Sequence, residues 1–222
     1  MASSTTRAPT STTLAPTTAV TVPPTTVPPP PPTTTAPAPA VRWIDPQWST
    51  MASVAGIAVL HPAAHIERVG FHQSNHEGAQ EMEVAPTAVR PVTLESRDRL
   101  TSARTAADVV VEPGTEIRAP VTGVVKRAGS YVLYCEHQDD YLVIAPDVNP
   151  AWEVKLLHIS GVAVSAGQRV EAGVTVVAPR ATQLPFESQV DEARTADPAW
   201  PHVHIEVVDP SIRNVPSPGG GC

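Results

Sequence analysis

One stretch of 12 residues occurs twice in this chain, and the recurrence does more than any other feature to narrow the folds open to it. Val111-Glu112-Pro113-Gly114-Thr115-Glu116-Ile117-Arg118-Ala119-Pro120-Val121-Thr122 aligns without gaps on Val164-Ser165-Ala166-Gly167-Gln168-Arg169-Val170-Glu171-Ala172-Gly173-Val174-Thr175. Each copy sets a Gly in a turn, a β-branched residue three positions on, an Ala at the fifth and Val-Thr at the seventh and eighth. Gly accepts the positive φ of a tight turn, and a small Ala lets two strand-turn units approach closely. The pattern therefore predicts a duplicated β-unit.

The rest of the sequence agrees. Apolar residues at i, i+3, i+4 and i+7 are everywhere interrupted by Pro, Gly or β-branched residues, so helices are not expected. Short β-like runs dominate: Val109–Val111, Val121–Lys126, Tyr131–Glu136, Tyr141–Ala145, Trp152–His158, Val174–Ala178 and His202–Val208. Turn chemistry at Glu112-Pro113-Gly114, Asp139-Asp140 and Ala166-Gly167 separates them. The fold class is all-β, an antiparallel sandwich or barrel.

Residues 1–40 are nearly all Thr, Pro, Ala, Ser and Val, and include much of the chain's complement of 26 Pro. Runs such as Val27-Pro28-Pro29-Pro30-Pro31-Pro32 fix φ, remove backbone donors and offer no large apolar face. They predict a disordered stalk or linker, partly polyproline II. The remaining organisation is read as an N-terminal extension over 41–100 packing on the β-domain, a β-domain over 101–215, and a flexible Gly-rich tail over 216–222.

No apolar run reaches the length of a membrane span; Ala52–Leu60 is the best and is too short. Met1–Leu14 lacks a basic region followed by a long apolar one. An exported protein with this sequence is thus expected to start upstream, and a true start at Met1 implies the cytoplasm. A net charge of −7 with no basic stripe argues against nucleic acid as a partner. Cys135 and Cys222 allow at most one disulfide; two free thiols, with Cys135 buried in a strand, are the other reading.

Chemistry concentrates in Pro201-His202-Val203-His204-Ile205-Glu206-Val207. Side chains alternate along a strand, so His202, His204 and Glu206 share one face and Val203, Ile205 and Val207 the other. Two imidazoles placed this way can address one ion or one substrate atom. By itself His-x-His is a common pattern.

The surrounding residues carry a more specific resemblance. The segment is similar to the Gly-Pro-His-Leu-His-Phe-Glu-Val motif of the LytM/lysostaphin-type zinc endopeptidases of bacterial cell walls. Leu156-Leu157-His158-Ile159, followed by Val164-Ser165-Ala166-Gly167-Gln168-Arg169-Val170, resembles the family's Tyr-x-His-Leu and the turn after it. Asp108-Val109-Val110-Val111 and Gly114–Val125 resemble the segment holding its metal-binding Asp. The resemblance covers about half the chain, in the family's order, and implies a β-sandwich of the duplicated hybrid motif type in the cell envelope or secreted. It also implies zinc as cofactor, and peptidoglycan peptides or a cell-wall hydrolase as partner. By the same resemblance Asp108 and His204 are ligands, His158 and His202 flank the reacting centre, and Glu206 supports His204 from behind.

The family's first ligand is a His four residues before the Asp, and this chain has Arg104 there. A guanidinium has no lone pair to give a metal. With Arg104 in place of a ligand His the expectation is a degenerate, non-catalytic domain, in which Arg104 could pair with Asp108 in place of the ion. The alternative is an active zinc endopeptidase whose third ligand is His72 or His76, from Phe71-His72-Gln73-Ser74-Asn75-His76-Glu77. His61 and His65 read as an ordinary turn. A further alternative is a lipoyl- or biotinyl-like carrier, which shares the duplicated Gly-x-x-(Val/Ile)-x-Ala unit. It requires a modified Lys at a hairpin tip, yet Lys126 and Lys155 lack the neighbours that such carriers place around it.

Overall fold

A computed structural model describes residues 42–44 and 47–215. The expectations for the Thr/Pro segment and the Gly-rich tail lie outside the described residues. In chain order the strands are β1 (Arg42–Trp43), β2 (Thr50–Val54), β3 (Ile57–Leu60), β4 (His65–His72), β5 (Glu83–Val84), β6 (Pro91–Thr93) and β7 (Ala106–Val111). They continue as β8 (Ile117–Arg118), β9 (Gly123–Leu133), β10 (His137–Pro146), β11 (Glu153–Ser160), β12 (Arg169–Val170), β13 (Val176–Ala178), β14 (Arg180–Ala181) and β15 (His202–Val208). One 3₁₀ turn, Gln189–Ala193, is the helical element among the described residues. The fold is all-β, as the sequence implied. Among the described residues no helix is long and apolar enough to cross a membrane.

A 10-stranded sheet runs in the order β1-β4-β7-β15-β11-β10-β9-β12, with β14 on β11 and β6 on β4. Smaller sheets, β3-β2-β5 and β13-β8, accompany it. Strand alternation sorts the central residues onto two faces. Val69 and Phe71 of β4, Val109 and Val111 of β7, Val203, Ile205 and Val207 of β15, and Val154 and Leu156 of β11 belong to one buried apolar cluster. Met51, Ile57 and Val59 of the β2–β3 hairpin, with Ile117 and Val177, complete it. The opposite face of the same strands carries His72, Asp108, His202, His204 and Glu206.

The two copies of the repeat interlock. Gly114 and Gly167 open equivalent turns with φ of 81° and 86°, closed by Thr115 N donating to Glu112 O at 3.1 Å and Gln168 N to Ser165 O at 3.0 Å. The strand of the first copy, β8, pairs with β13, which follows the second copy; the strand of the second, β12, pairs with β9, which follows the first. Ala119 N donates to Thr175 O, and Gly173 N to Ala119 O, each at 2.9 Å. This reciprocal exchange is the physical content of the duplication. Gly173 is also a close approach: its φ is 69°, and a Cβ there would lie 2.8 Å from the Trp48 side chain.

Several sequence expectations need correction. Residues 41–100 are not a layer laid over a separate domain, because β4 is hydrogen-bonded along β7 from Ile66↔Val111 to His72↔Ala106. Asp139-Asp140 is not a turn: both residues lie in β10, and the β9–β10 hairpin turns at Tyr134 and Cys135, with φ of 51° and 61°. Cys135 is therefore exposed in a turn rather than buried in a strand. It is disulfide-bonded; the expectation for Cys222 lies outside the described residues. His61 is fully buried, its Nδ1 donating to Ser49 O at 2.8 Å and its Nε2 accepting from Val89 N at 3.1 Å. It pins three segments together and is no surface turn.

Candidate metal centre

Three adjacent strands bring the candidate ligands together. Asp108 on β7 faces Gly70 of β4 on one side and His204 of β15 on the other. His72, two residues beyond Gly70 on the same face, is its diagonal neighbour. Gly70 has no Cβ where one would fall 2.7 Å from Val190 of the 3₁₀ turn, which packs over the strand at that point. Asp108 Oδ1 lies 3.1 Å from His72 Nε2 and 2.9 Å from His204 Nδ1. Ligand atoms of all three residues fall within 4.8 Å of one another. A tetrahedral zinc site with ligands at about 2.0–2.1 Å has edges of about 3.3 Å.

The His72 ring shows what the arrangement lacks. Its Nδ1 lies 2.9 Å from the backbone oxygen of Gln73. A carbonyl only accepts, so Nδ1 carries a proton, and in the neutral ring Nε2 carries the lone pair. That Nε2 is buried and stands 3.1 Å from an Asp108 carboxylate oxygen. In the neutral tautomer a cation between these two atoms would be coordinated by both; in the charged ring the two form an ion pair. Fixing one ring nitrogen on a carbonyl while the other faces the ion is the usual way a metal-binding His is oriented. The donor set, two imidazoles and one carboxylate with room for a fourth ligand from the cleft, suits zinc.

Glu206, two residues beyond His204 on the same face, accepts from Ser74 Oγ at 2.5 Å and pairs with Lys155 Nζ at 3.2 Å. Its Oε2 lies 3.8 Å from His204 Nε2. Burial pushes the Glu206 carboxyl up, but His204, Lys155 and Ser74 hold it well below the usual range. Burial likewise pushes Asp108 up, and its His neighbours more than reverse this. For His204, burial lowers the pKa, while Asp108 and Glu206 outweigh it and raise it to about 9. Without a metal, then, His204 holds its proton through neutral pH; this raised pKa stabilises the fold below about 6.5 and the benefit is lost as pH rises through about 9. Zinc must displace that proton. Its affinity is expected to climb about tenfold per pH unit toward pH 9 and then level off. Calorimetry in buffers of different ionisation enthalpy checks this by counting the protons released.

His158 reaches the site by breaking the alternation of β11. The register with β10 slips between Asp140↔Ile159 and Tyr141↔Leu157, which leaves His158 as the extra residue of a β-bulge with φ of 61°. Regular alternation would turn it toward the core; the bulge puts both Leu157 and His158 into the cleft while Ile159 returns inward. A non-Gly residue in this conformation costs about 1 kcal/mol. Asp139 answers that cost: its Oδ2 accepts from His158 N at 3.1 Å, from His158 Nδ1 at 2.7 Å and from Tyr131 Oη at 2.5 Å. Burial pushes Asp139 up, but the hydrogen bonds from His158 and Tyr131 keep it low. Tyr131 is pushed up, first by burial and then by Asp139. With Nδ1 committed to Asp139, His158 presents Nε2 toward His202, the two ring centroids 5.0 Å apart. His202 is buried, its Nε2 3.9 Å from Asp108 Oδ2. Burial lowers its pKa to about 4, with Asp108 opposing and His158 and His204 adding to the fall, so it is neutral at physiological pH.

The structure separates the other sequence candidates. Arg104 does not pair with Asp108: it lies on the surface, its Nε 3.1 Å from Glu81 Oε1. His76 lines the cleft but is outside the His72–Asp108–His204 cluster, its Nδ1 accepting from Gly78 N at 3.1 Å. Lys126 and Lys155 sit within strands in ion pairs with Glu153 and Glu206, at 3.0 and 3.2 Å. Neither stands at a hairpin tip, as a carrier lysine must. Asp139 and Tyr131 escaped the sequence reading, the first because Asp-Asp looks like a turn.

The cluster lines an open cleft of about 670 Å³, which is also lined by Tyr134, Leu184, Phe186, Arg97 and Arg99. Fold and site together define an all-β domain with a His-Asp-His cluster able to hold a metal ion. No family model matches the sequence, and no curated protein matches it. Among solved structures the chain is similar to a zinc-containing peptidase from Vibrio cholerae, with 16% identity and a TM-score of 0.36. That alignment covers 77% of this chain and 46% of the peptidase.

Proposed function

We propose that this protein is a zinc-dependent endopeptidase acting on peptidoglycan peptides in the bacterial cell envelope, with His72, Asp108 and His204 as the metal ligands. The observation that carries the reading is the His72–Asp108–His204 cluster, whose ligand atoms all lie within 4.8 Å of one another at the cleft. The degenerate reading rests on Arg104 standing where a ligand His is expected; in favour of an active site, His72 lies beside Asp108 as a third donor, and Arg104 is engaged with Glu81. Zinc in such a site supplies a Lewis acid that polarises a scissile carbonyl and makes water more acidic. His158 is the base: Asp139 keeps Nδ1 protonated, so Nε2 is free to take a proton and the resulting imidazolium is stabilised by the carboxylate behind it. His202 stays neutral and flanks the reacting carbonyl as a hydrogen-bonding partner for the developing oxyanion. The long Thr/Pro segment suits a domain held away from an anchor.

The test is digestion of purified cross-linked muropeptides by zinc-loaded protein, read by mass spectrometry. New peptide termini are expected, abolished by a chelator and restored by zinc. Intact muropeptides beside a protein that retains its zinc would contradict the enzymatic reading and favour a binding module.

A further inference from the structure

We propose that Arg97 and Arg99 form a carboxylate-binding subsite on the wall of the metal cleft, so that the protein selects peptides bearing an acidic group close to the scissile bond. This rests on the reading of the cleft as a peptidase site and names what that site prefers.

Both arginines line the cleft that contains His72, Asp108, His158 and His204. Neither Arg97 nor Arg99 holds a carboxylate, a state shared among the described residues by Arg68, Arg90, Arg180 and Arg213, but of these six only Arg97 and Arg99 line the metal cleft. The two have no such partner although Asp98 lies between them in sequence and Glu187 lines the same cleft. The two lie two residues apart in one loop whose backbone N–H groups both donate to Gln73 Oε1, at 2.8 Å from Arg97 and 3.4 Å from Arg99; burial and then the like charge of Arg97 lower the Arg99 pKa. Cations lining a cleft without a carboxylate partner are available to an anion that arrives with a ligand. Planar guanidiniums match a carboxylate through paired hydrogen bonds.

The loop carrying them is held in place. Gln73, next to His72, donates its side-chain amide to Arg99 O at 3.1 Å and Thr101 O at 3.0 Å. Its Oε1 accepts from Arg97 N at 2.8 Å and Ser96 Oγ at 3.1 Å. The Gln73 backbone oxygen accepts from both His72 Nδ1 and an Arg99 Nη. One residue thus ties the arginine loop to a candidate metal ligand. The same cleft is lined by Tyr134, edge-on to Phe186 at 5.4 Å. A peptide in it meets both cations and aromatic rings.

The experiment uses zinc-loaded full-length protein and pairs of tripeptide hydroxamates that differ only by Glu against Gln, placed in turn at each of the three positions. The hydroxamate anchors each probe on the metal, and Kd is read by calorimetry alongside zinc content. At one position the Glu probe is expected to bind about 10- to 100-fold tighter, the range of charge-assisted hydrogen bonds. Arg97→Ala should bring that ratio toward one, and Arg97→Lys should restore part of it. Arg104→Ala, outside the cleft, should keep it. Equal binding of Glu and Gln probes at every position, or a preference that survives both Arg97→Ala and Arg99→Ala, would overturn the subsite while leaving the metal reading intact. Failure of all probes to bind a protein shown to contain zinc would overturn the subsite together with the peptidase reading.

Discussion

Replacing His72 by Ala is expected to weaken zinc binding by about a thousandfold, while Arg104→Ala leaves it unchanged. The first figure is the upper end of one ligand's share, about 2.5–4 kcal/mol, of the ~10–16 kcal/mol that a four-ligand zinc site supplies. The second follows from position, because Arg104 is at the surface with Glu81. Competition against a chelating dye measures both variants. The pair is informative because the sequence alone pointed the other way: the residue four positions before Asp108 is an Arg, which no metal site can use. His72 is buried, 6% exposed, at the end of β4. Loss of its ring also removes the group that Gln73 O accepts from, so thermal stability in chelator should be recorded to separate folding from ligation.

Asp139→Asn is expected to lower peptide hydrolysis by about 10²- to 10⁴-fold while zinc content stays at the wild-type level. An Asn oxygen can still accept from the His158 backbone N–H and so keep the bulge. It cannot stabilise an imidazolium as a carboxylate does, and its amide group can favour the wrong tautomer; the same change beside a catalytic His elsewhere costs this order of magnitude. Asp139 is therefore a positioning residue acting through His158. Steady-state kinetics would show the loss in kcat more than in KM, and the acid limb of the pH–rate profile, set by the group that must be unprotonated, should shift. Unchanged kcat would remove His158 from the reaction. Loss of zinc along with activity would instead make Asp139 part of the metal framework.

Much of this was legible where the information is local. The strand His202–Val208 has the bounds its alternation suggested, and one face of it does carry His202, His204 and Glu206. The Gly turns of the repeat were readable because positive φ leaves a residue signature. What escaped depends on contacts far apart in sequence. His72 lies 36 positions before Asp108 and becomes its neighbour through antiparallel pairing of β4 with β7, which no ligand spacing encodes. The resemblance put His158 at the site although alternation along its strand would turn it inward; the bulge that turns it outward depends on Asp139, a residue of another strand. The β9–β10 turn falls on Tyr134-Cys135, neither a turn former, so Asp139-Asp140 drew the boundary to the wrong place.

The account stands or falls on where a metal binds. Crystals of the zinc-loaded protein, measured at wavelengths on either side of the zinc absorption edge, give the answer directly. The predicted result is one strong anomalous peak about 2.0–2.2 Å from His72 Nε2, an Asp108 carboxylate oxygen and a His204 ring nitrogen. No peak among these three residues, or zinc held elsewhere with His72 Nε2 turned away from Asp108, would contradict it.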